Sequence, residues 1–371
     1  MPGQASRSLV SIDIARAIAA LGVFYYHQHM GNVLANYSGI KWLNYTDAFG
    51  AVYAVPLFFL ISGYCIHLSN IKYIKTREAL PIKEYYKRRL FRIYPPYLAA
   101  LIFSVIINFI TRPGYHISAP DFIVHLFLLQ GFTVNYFNTV NVVLWTISIE
   151  LAFYILYPIF YYLRRKFSLD YALLFTLIVS CTSIIYFSAK SSTTLPELYC
   201  VFNIWFAWCC GAYLADKKVL NSRDLKKTVY KIIYAIIFVA FFLLKTPGLS
   251  KFLIIDYQFN ILIWTAPLLF LLDKEKWLSG SRSLFIKILA AIGLSSYSLY
   301  LLHKPLSLLK NFCAHQFLPS KLQPAAVFIG ILIIPVITWF SYKYIEKPFM
   351  AKKRKTLLNA RSLSIHHYSR L

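Results

Sequence analysis

Arg16 and His27 lie on one apolar run, Ile12–His27, with ten apolar, aromatic or glycine residues between them. At 1.5 Å rise per residue, eleven helical steps separate the two by roughly 16 Å, about half of a bilayer core. Ionisable groups at that depth are expensive, and they mark function more readily than packing. Histidine takes up protons near neutral pH, which fits His27 for general-base work; a histidine at a membrane edge also serves as an interfacial residue. Asp13 stands three residues before Arg16 on the same helical face, so the two form either a packing ion pair or part of a charged site.

Further on, Trp145-Thr146-Ile147-Ser148-Ile149-Glu150 places a carboxylate in an apolar run, and Tyr300-Leu301-Leu302-His303 ends in a second imidazole. A carboxylate that orients an imidazole is a recurrent catalytic arrangement. Arg89 and Arg92 share a helical face in the run Tyr85–Tyr97. Guanidinium pairs grip phosphates bidentately, and they also anchor helices at anionic lipid. Ser62-Gly63 permits close backbone approach, for helix packing or for a thin ligand.

The elements that position these residues follow from composition. Of 371 residues, 58% are hydrophobic and 14% charged, against about 25% charged in soluble domains. The expected fold is all-α and polytopic, with about ten transmembrane helices near 9–29, 48–68, 92–111, 143–163, 169–187, 197–215, 228–245, 254–272, 284–306 and 323–345. Phe122–Phe132 is too short to span and reads as an interfacial or re-entrant helix. The net charge of +25 raises nucleic acid as a partner. Its placement in short loops argues instead for topology signals and for membrane lipid or an anionic ligand, with no nucleic acid. About thirty Lys and Arg fall in one set of alternate loops and about eight in the other, which places both termini in the cytoplasm.

That topology puts Asp13 and Arg16 in the cytoplasmic half of span one and brings His27, Glu150 and His303 to similar outer depths. The six cysteines lack paired metal spacing, so no metal is expected. Span one is too long, and lacks the small-residue site, for a cleaved signal peptide. Residues 1–349 are expected to form a single transmembrane core without an appended soluble catalytic module, and 350–371 a basic, disordered cytoplasmic tail.

The motifs Arg16-x10-His27, Phe58-Phe59-x2-Ser62-Gly63, Arg89-x2-Arg92, Trp145-x4-Glu150, Tyr300-x2-His303 and Ile345-Glu346-Lys347-Pro348, in that order over about residues 9–349, resemble the integral membrane acyltransferase family 3, which includes glycan O-acetyltransferases. The resemblance implies an acyltransferase of a bacterial inner membrane. It would take acetyl-CoA or another acyl-CoA from the cytoplasm and acylate a hydroxyl of a glycan or lipid-linked saccharide. By that likeness His27 is the catalytic histidine, and Glu150 and His303 belong to the outer pocket. Arg16, Arg89 and Arg92, with Ser62 and Gly63, belong to the donor side, while Asp13, Trp145 and Tyr300 support them. The rival reading is a transporter or flippase of a lipid-linked sugar or anion, which would use the same intramembrane charges.

Overall fold

A computed structural model describes residues 9–190, 192–220 and 253–350. Every regular element among them is helical: α1 (Val10–His27), α2 (Met30–Ser38), α3 (Val55–Lys75), α4 (Ile82–Thr111), α5 (Ala119–Leu126), α6 (Trp145–Lys166), α7 (Leu169–Ser188), α8 (Leu195–Leu198), α9 (Val201–Leu220), α10 (Leu253–Leu262), α11 (Thr265–Asp273), α12 (Glu275–Gly280), α13 (Leu284–Leu294), α14 (Ser296–Phe317) and α15 (Gln323–Ser341). Among the described residues six helical stretches are long and apolar enough to cross a membrane, and a seventh arises if α13 and α14 act together. Such a chain must satisfy its backbone within helices, because hydrocarbon offers no hydrogen-bond partner.

The helices differ from the sequence expectation mainly where hydropathy runs on through a break. The stretch expected at 254–272 is interrupted between α10 and α11, and that at 284–306 is interrupted at Ser295. α1, which carries Asp13 and Arg16, is not among the six stretches. The second expected span is longer than anticipated, because a 3-10 turn (Lys41–Thr46) and a π turn (Phe49–Ala54) lead into α3. α4 is likewise already helical through the basic run at Arg88, Arg89 and Arg92. The short segment expected at Phe122–Phe132 is α5 followed by a 3-10 turn, Gln130–Phe132. The expected span at 228–245 and the tail from 351 lie outside the described residues.

Two compact units make up the fold. One holds the described residues up to Pro81 and within Ser118–Ser296; the other holds Ile82–Ile117 and the residues from Tyr297 on. In the first, small residues set how closely helices approach. A Cβ on Gly63 would lie 2.0 Å from the Trp208 carbonyl oxygen, and one on Gly211 would lie 2.2 Å from that of Leu60. α3 and α9 therefore touch backbone to backbone, as membrane helices do when glycine lies at the crossing. Gly293 of α13 meets the Asp13 carbonyl in the same way, at 1.7 Å.

Contacts between Arg16 and Cys65, and between Gly22 and Ala54, show that α1 runs opposite to α3. Ser180 against Phe206 and Ser183 against Asn203 set α7 opposite to α9. Leu9, at the N-cap of α1, offers no capping side chain. The Glu275 carboxylate of α12 fills that role across the fold, accepting the Val10 and Ser11 amides at 3.1 and 2.8 Å. Anionic capping of a helix start contributes about 0.3–1 kcal/mol, more when partly buried.

In the second unit, Gly330 packs against the Lys310 side chain, and Ser298 donates to Glu346 Oε2 at 2.8 Å. α14 and α15 are thus antiparallel. Pro95 and Pro96 sit inside α4, where they remove helical donors. The Tyr297 hydroxyl donates to the nearby Ile93 carbonyl at 3.1 Å.

Candidate active site

α1 delivers its two marked residues to opposite ends of one helix. At the start, Arg16 donates to Asp13 Oδ1 and to Cys65 Sγ, each at 3.2 Å. Asp13 is buried, so the pair is a partly buried ion pair that also joins α1 to α3. At the other end, His29 takes a left-handed conformation (φ 51°) and stops the helix, leaving His27 as its last residue. The His27 ring is half-buried and lies 4.8 Å from that of Tyr26. The chain beyond is pinned by the Gly31 amide, which donates to the buried Asp47 carboxylate at 2.8 Å, and by Tyr25 and Thr46, whose hydroxyls pair at 2.8 Å.

Gly50 explains how the π turn fits against this end. A Cβ there would lie 2.0 Å from the Gly22 carbonyl oxygen and 2.5 Å from Tyr26 Cβ. The close approach of the turn to α1, one residue from His27, therefore depends on glycine.

Glu150 sits on α6 in a cluster that three helices build. Ser62 of α3 donates to Glu150 Oε1 at 2.6 Å, and Tyr154, one turn further along α6, donates to the same oxygen at 2.5 Å. The Trp208 indole N–H of α9 donates in turn to Ser62 Oγ at 3.1 Å. The structure thus brings together Ser62 and Glu150, which the sequence reading had set on different sides of the site.

Gly63 is spent on the α3–α9 crossing. Of the two uses open to Gly63, helix packing or a thin ligand, the Trp208 backbone against it serves the first. Trp145 turns to its aromatic neighbours, with its ring 4.3 Å from Tyr199 and 5.1 Å from Phe137, both nearly parallel to it.

A second cluster on the same three helices was missed by the sequence reading. His67 Nε2 lies 2.9 Å from Asp216 Oδ2, and the Tyr157 hydroxyl lies 3.2 Å from His67 Nδ1. Arg164 grips the same carboxylate with two nitrogens, at 2.8 and 3.2 Å. With the carboxylate accepting the Nε2 proton, Nδ1 is left to accept from Tyr157. The rule that singled out His27, an imidazole inside an apolar run, applies equally to His67.

The remaining expected site residues belong to the second unit. His303 is buried, and its Nδ1 faces the carbonyls of Tyr300 and Leu299 at 2.8 and 3.1 Å. Carbonyls only accept, so Nδ1 carries the proton and Nε2 is the acceptor nitrogen. The Tyr300 and His303 rings are 6.1 Å apart. Arg89 is buried with its guanidinium 5.9 Å from the Tyr85 ring, and Arg92 is half-buried on the same face of α4. Two guanidinium groups one turn apart are chemically suited to a phosphate. Among the described residues no group of three His, Cys, Asp or Glu could hold a metal ion.

Residues 9–342 match the family model described as an acyltransferase domain. The chain belongs to this acyltransferase family. It is similar to O-acetyltransferase OatA of Staphylococcus aureus (strain NCTC 8325 / PS 47), with 25% identity over 374 residues that cover 93% of this chain. The OatA of strain COL matches with the same identity and coverage. The chain spans 58% of the length of these relatives. No solved structure matches it. The transporter reading gains no support from these matches.

Proposed function

We propose that this protein transfers an acyl group, acetyl foremost, from cytoplasmic acyl-CoA to a hydroxyl of a cell-surface glycan or a lipid-linked sugar. The family membership and the relatives named O-acetyltransferase support the reaction class. The observation that carries the assignment of residues is the polarity of α1, with the Arg16–Asp13–Cys65 contacts near its start and His27 at its end. In this reading the chain crosses a bacterial inner membrane ten times with both termini in the cytoplasm, as the distribution of Lys and Arg among its loops supports.

The chemistry follows from the residue types. Arg89 and Arg92 take phosphate oxygens of the donor, and Arg16 flanks the path of its pantetheine arm. His27 removes the proton of the acceptor hydroxyl as the oxygen bonds to the thioester carbonyl carbon. Collapse of the tetrahedral intermediate breaks the carbon–sulfur bond, and the imidazolium returns its proton to the CoA thiolate. Glu150 stabilises the charged imidazolium, while the Tyr300 hydroxyl is the candidate stabiliser of the oxyanion. The His303 Nδ1–H is committed to backbone carbonyls, which leaves His303 without a proton to donate there. General-base catalysis of this kind contributes about 10²–10⁴-fold.

The test is acyl transfer in membranes that carry the full chain, supplied with radiolabelled acetyl-CoA and their native glycans. Label is expected in the glycan fraction, and His27→Ala should abolish it while the protein stays inserted. Full activity in that variant would remove His27 from the reaction.

A further inference from the structure

We propose that Ser62, Tyr154 and Trp208 are positioning residues for Glu150, and that Ser62 serves this carboxylate instead of the passage of the acyl donor. The inference rests on the acyl-transfer reading above and deepens it. Its basis is the pair of hydroxyl donors on a single carboxylate oxygen, at 2.6 and 2.5 Å. These lengths fall in the range of charge-assisted O–H···O⁻ bonds, which are about twice as strong as neutral ones.

A serine hydroxyl has one proton and a freely turning rotor. Here the Trp208 N–H occupies an Oγ lone pair, so the rotor is held with its proton on Glu150. Tyr154 reaches the same oxygen from four residues along α6, where side chains share a face. The carboxylate is therefore held by its own helix and by α3, and α3 is indexed to α9 by the Gly63–Gly211 crossing.

The same geometry argues against Ser62 as a covalent acyl carrier. An Oγ that accepts an indole N–H, and whose base is shared with a second hydroxyl, is a weakened nucleophile. Fixing Oε1 in this way sets the orientation of the whole carboxyl group. Misplacing catalytic groups by about 1 Å can cost 10²-fold.

The experiment uses membranes carrying the full chain, radiolabelled acetyl-CoA and native glycans, with rates normalised to inserted protein. Tyr154→Phe and Ser62→Ala should each lower kcat about tenfold and leave the KM for acetyl-CoA within twofold of the parent value. Ser62→Thr, which keeps the hydroxyl, should recover most of the loss. Combined with Glu150→Gln, neither substitution should lower the residual rate further.

A raised acetyl-CoA KM with kcat intact in Ser62→Ala would return Ser62 to the donor passage and overturn the proposal. Full multiplicative losses on the Glu150→Gln background, or an acyl group trapped on Ser62, would overturn it as well. Absence of transfer from acyl-CoA by the parent protein would instead defeat the underlying functional reading, which a rate table of variants keeps distinct.

Discussion

The Glu150 cluster and the His67–Asp216 cluster lie on the same three helices, about two turns apart along α6, and balance their charge differently. The Asp216 carboxylate receives a bidentate guanidinium and an imidazole, and Asp216, His67 and Tyr157 are all buried. The charge is neutralised within the protein. The Glu150 carboxylate receives two hydroxyls on a single oxygen, and the residue is only half-buried. Those two donors orient it. A cluster that neutralises itself suits the locking of helices, whereas an oriented carboxylate suits a reaction in which positive charge develops nearby.

The sharpest way to break this contrast is to remove each carboxylate separately. Glu150→Gln keeps the shape of the side chain and should lower acyl transfer at least 10²-fold, with the melting temperature in detergent within a few degrees of the parent. Asp216→Ala should do the opposite. It leaves Arg164 and His67 without their carboxylate and should cost about 3 kcal/mol of stability, read as a large fall in melting temperature and in inserted protein. A stable Asp216→Ala protein with lost activity would make the two clusters alike.

Next in size is Gly63→Ala. Its added methyl would press on the Trp208 carbonyl at 2.0 Å, and pushing α3 from α9 should cost about 1–3 kcal/mol. Because both clusters hang on that crossing, melting temperature and turnover should fall together.

The smallest effect concerns His125, which lies outside the membrane-spanning helices. Its Nδ1 lies 3.0 Å from the Asp121 carboxylate, which also accepts from Thr139 at 2.8 Å. Burial lowers its pKa below the ordinary imidazole value, against the opposing pull of Asp121. The folded protein therefore binds this proton less well than the unfolded chain. The stability contributed here is complete above the unfolded pKa near 6.5 and is lost as pH falls below it. Melting temperature should decline on acidification from pH 7 toward 5, and His125→Gln should flatten that slope.

Much of this architecture was legible in residue order. The apolar run of α1 with its embedded Arg16 and His27, the start of α6 at Trp145 and the helical face shared by Arg89 and Arg92 all stand where the sequence placed them. Each depends on neighbours within one helix. What the sequence did not reveal depends on partners far along the chain.

Ser62 and Glu150 are 88 residues apart, and no periodicity announces that hydrogen bond. Asp216 stands directly before Lys217 and Lys218, just past the span expected at 197–215, although α9 carries it inside to His67 and Arg164. The breaks before α11 and at Ser295 escaped notice because apolar residues continue across them. Gly63 could be read as a packing residue or a ligand contact until the Trp208 backbone was seen against it.

The measurement that bears most directly on the central claim is label transfer from radiolabelled acetyl-CoA to surface glycan in membranes of the parent protein and of His27→Ala at equal insertion. Transfer by the parent with none by the variant is the predicted result. Equal transfer by both would contradict the account.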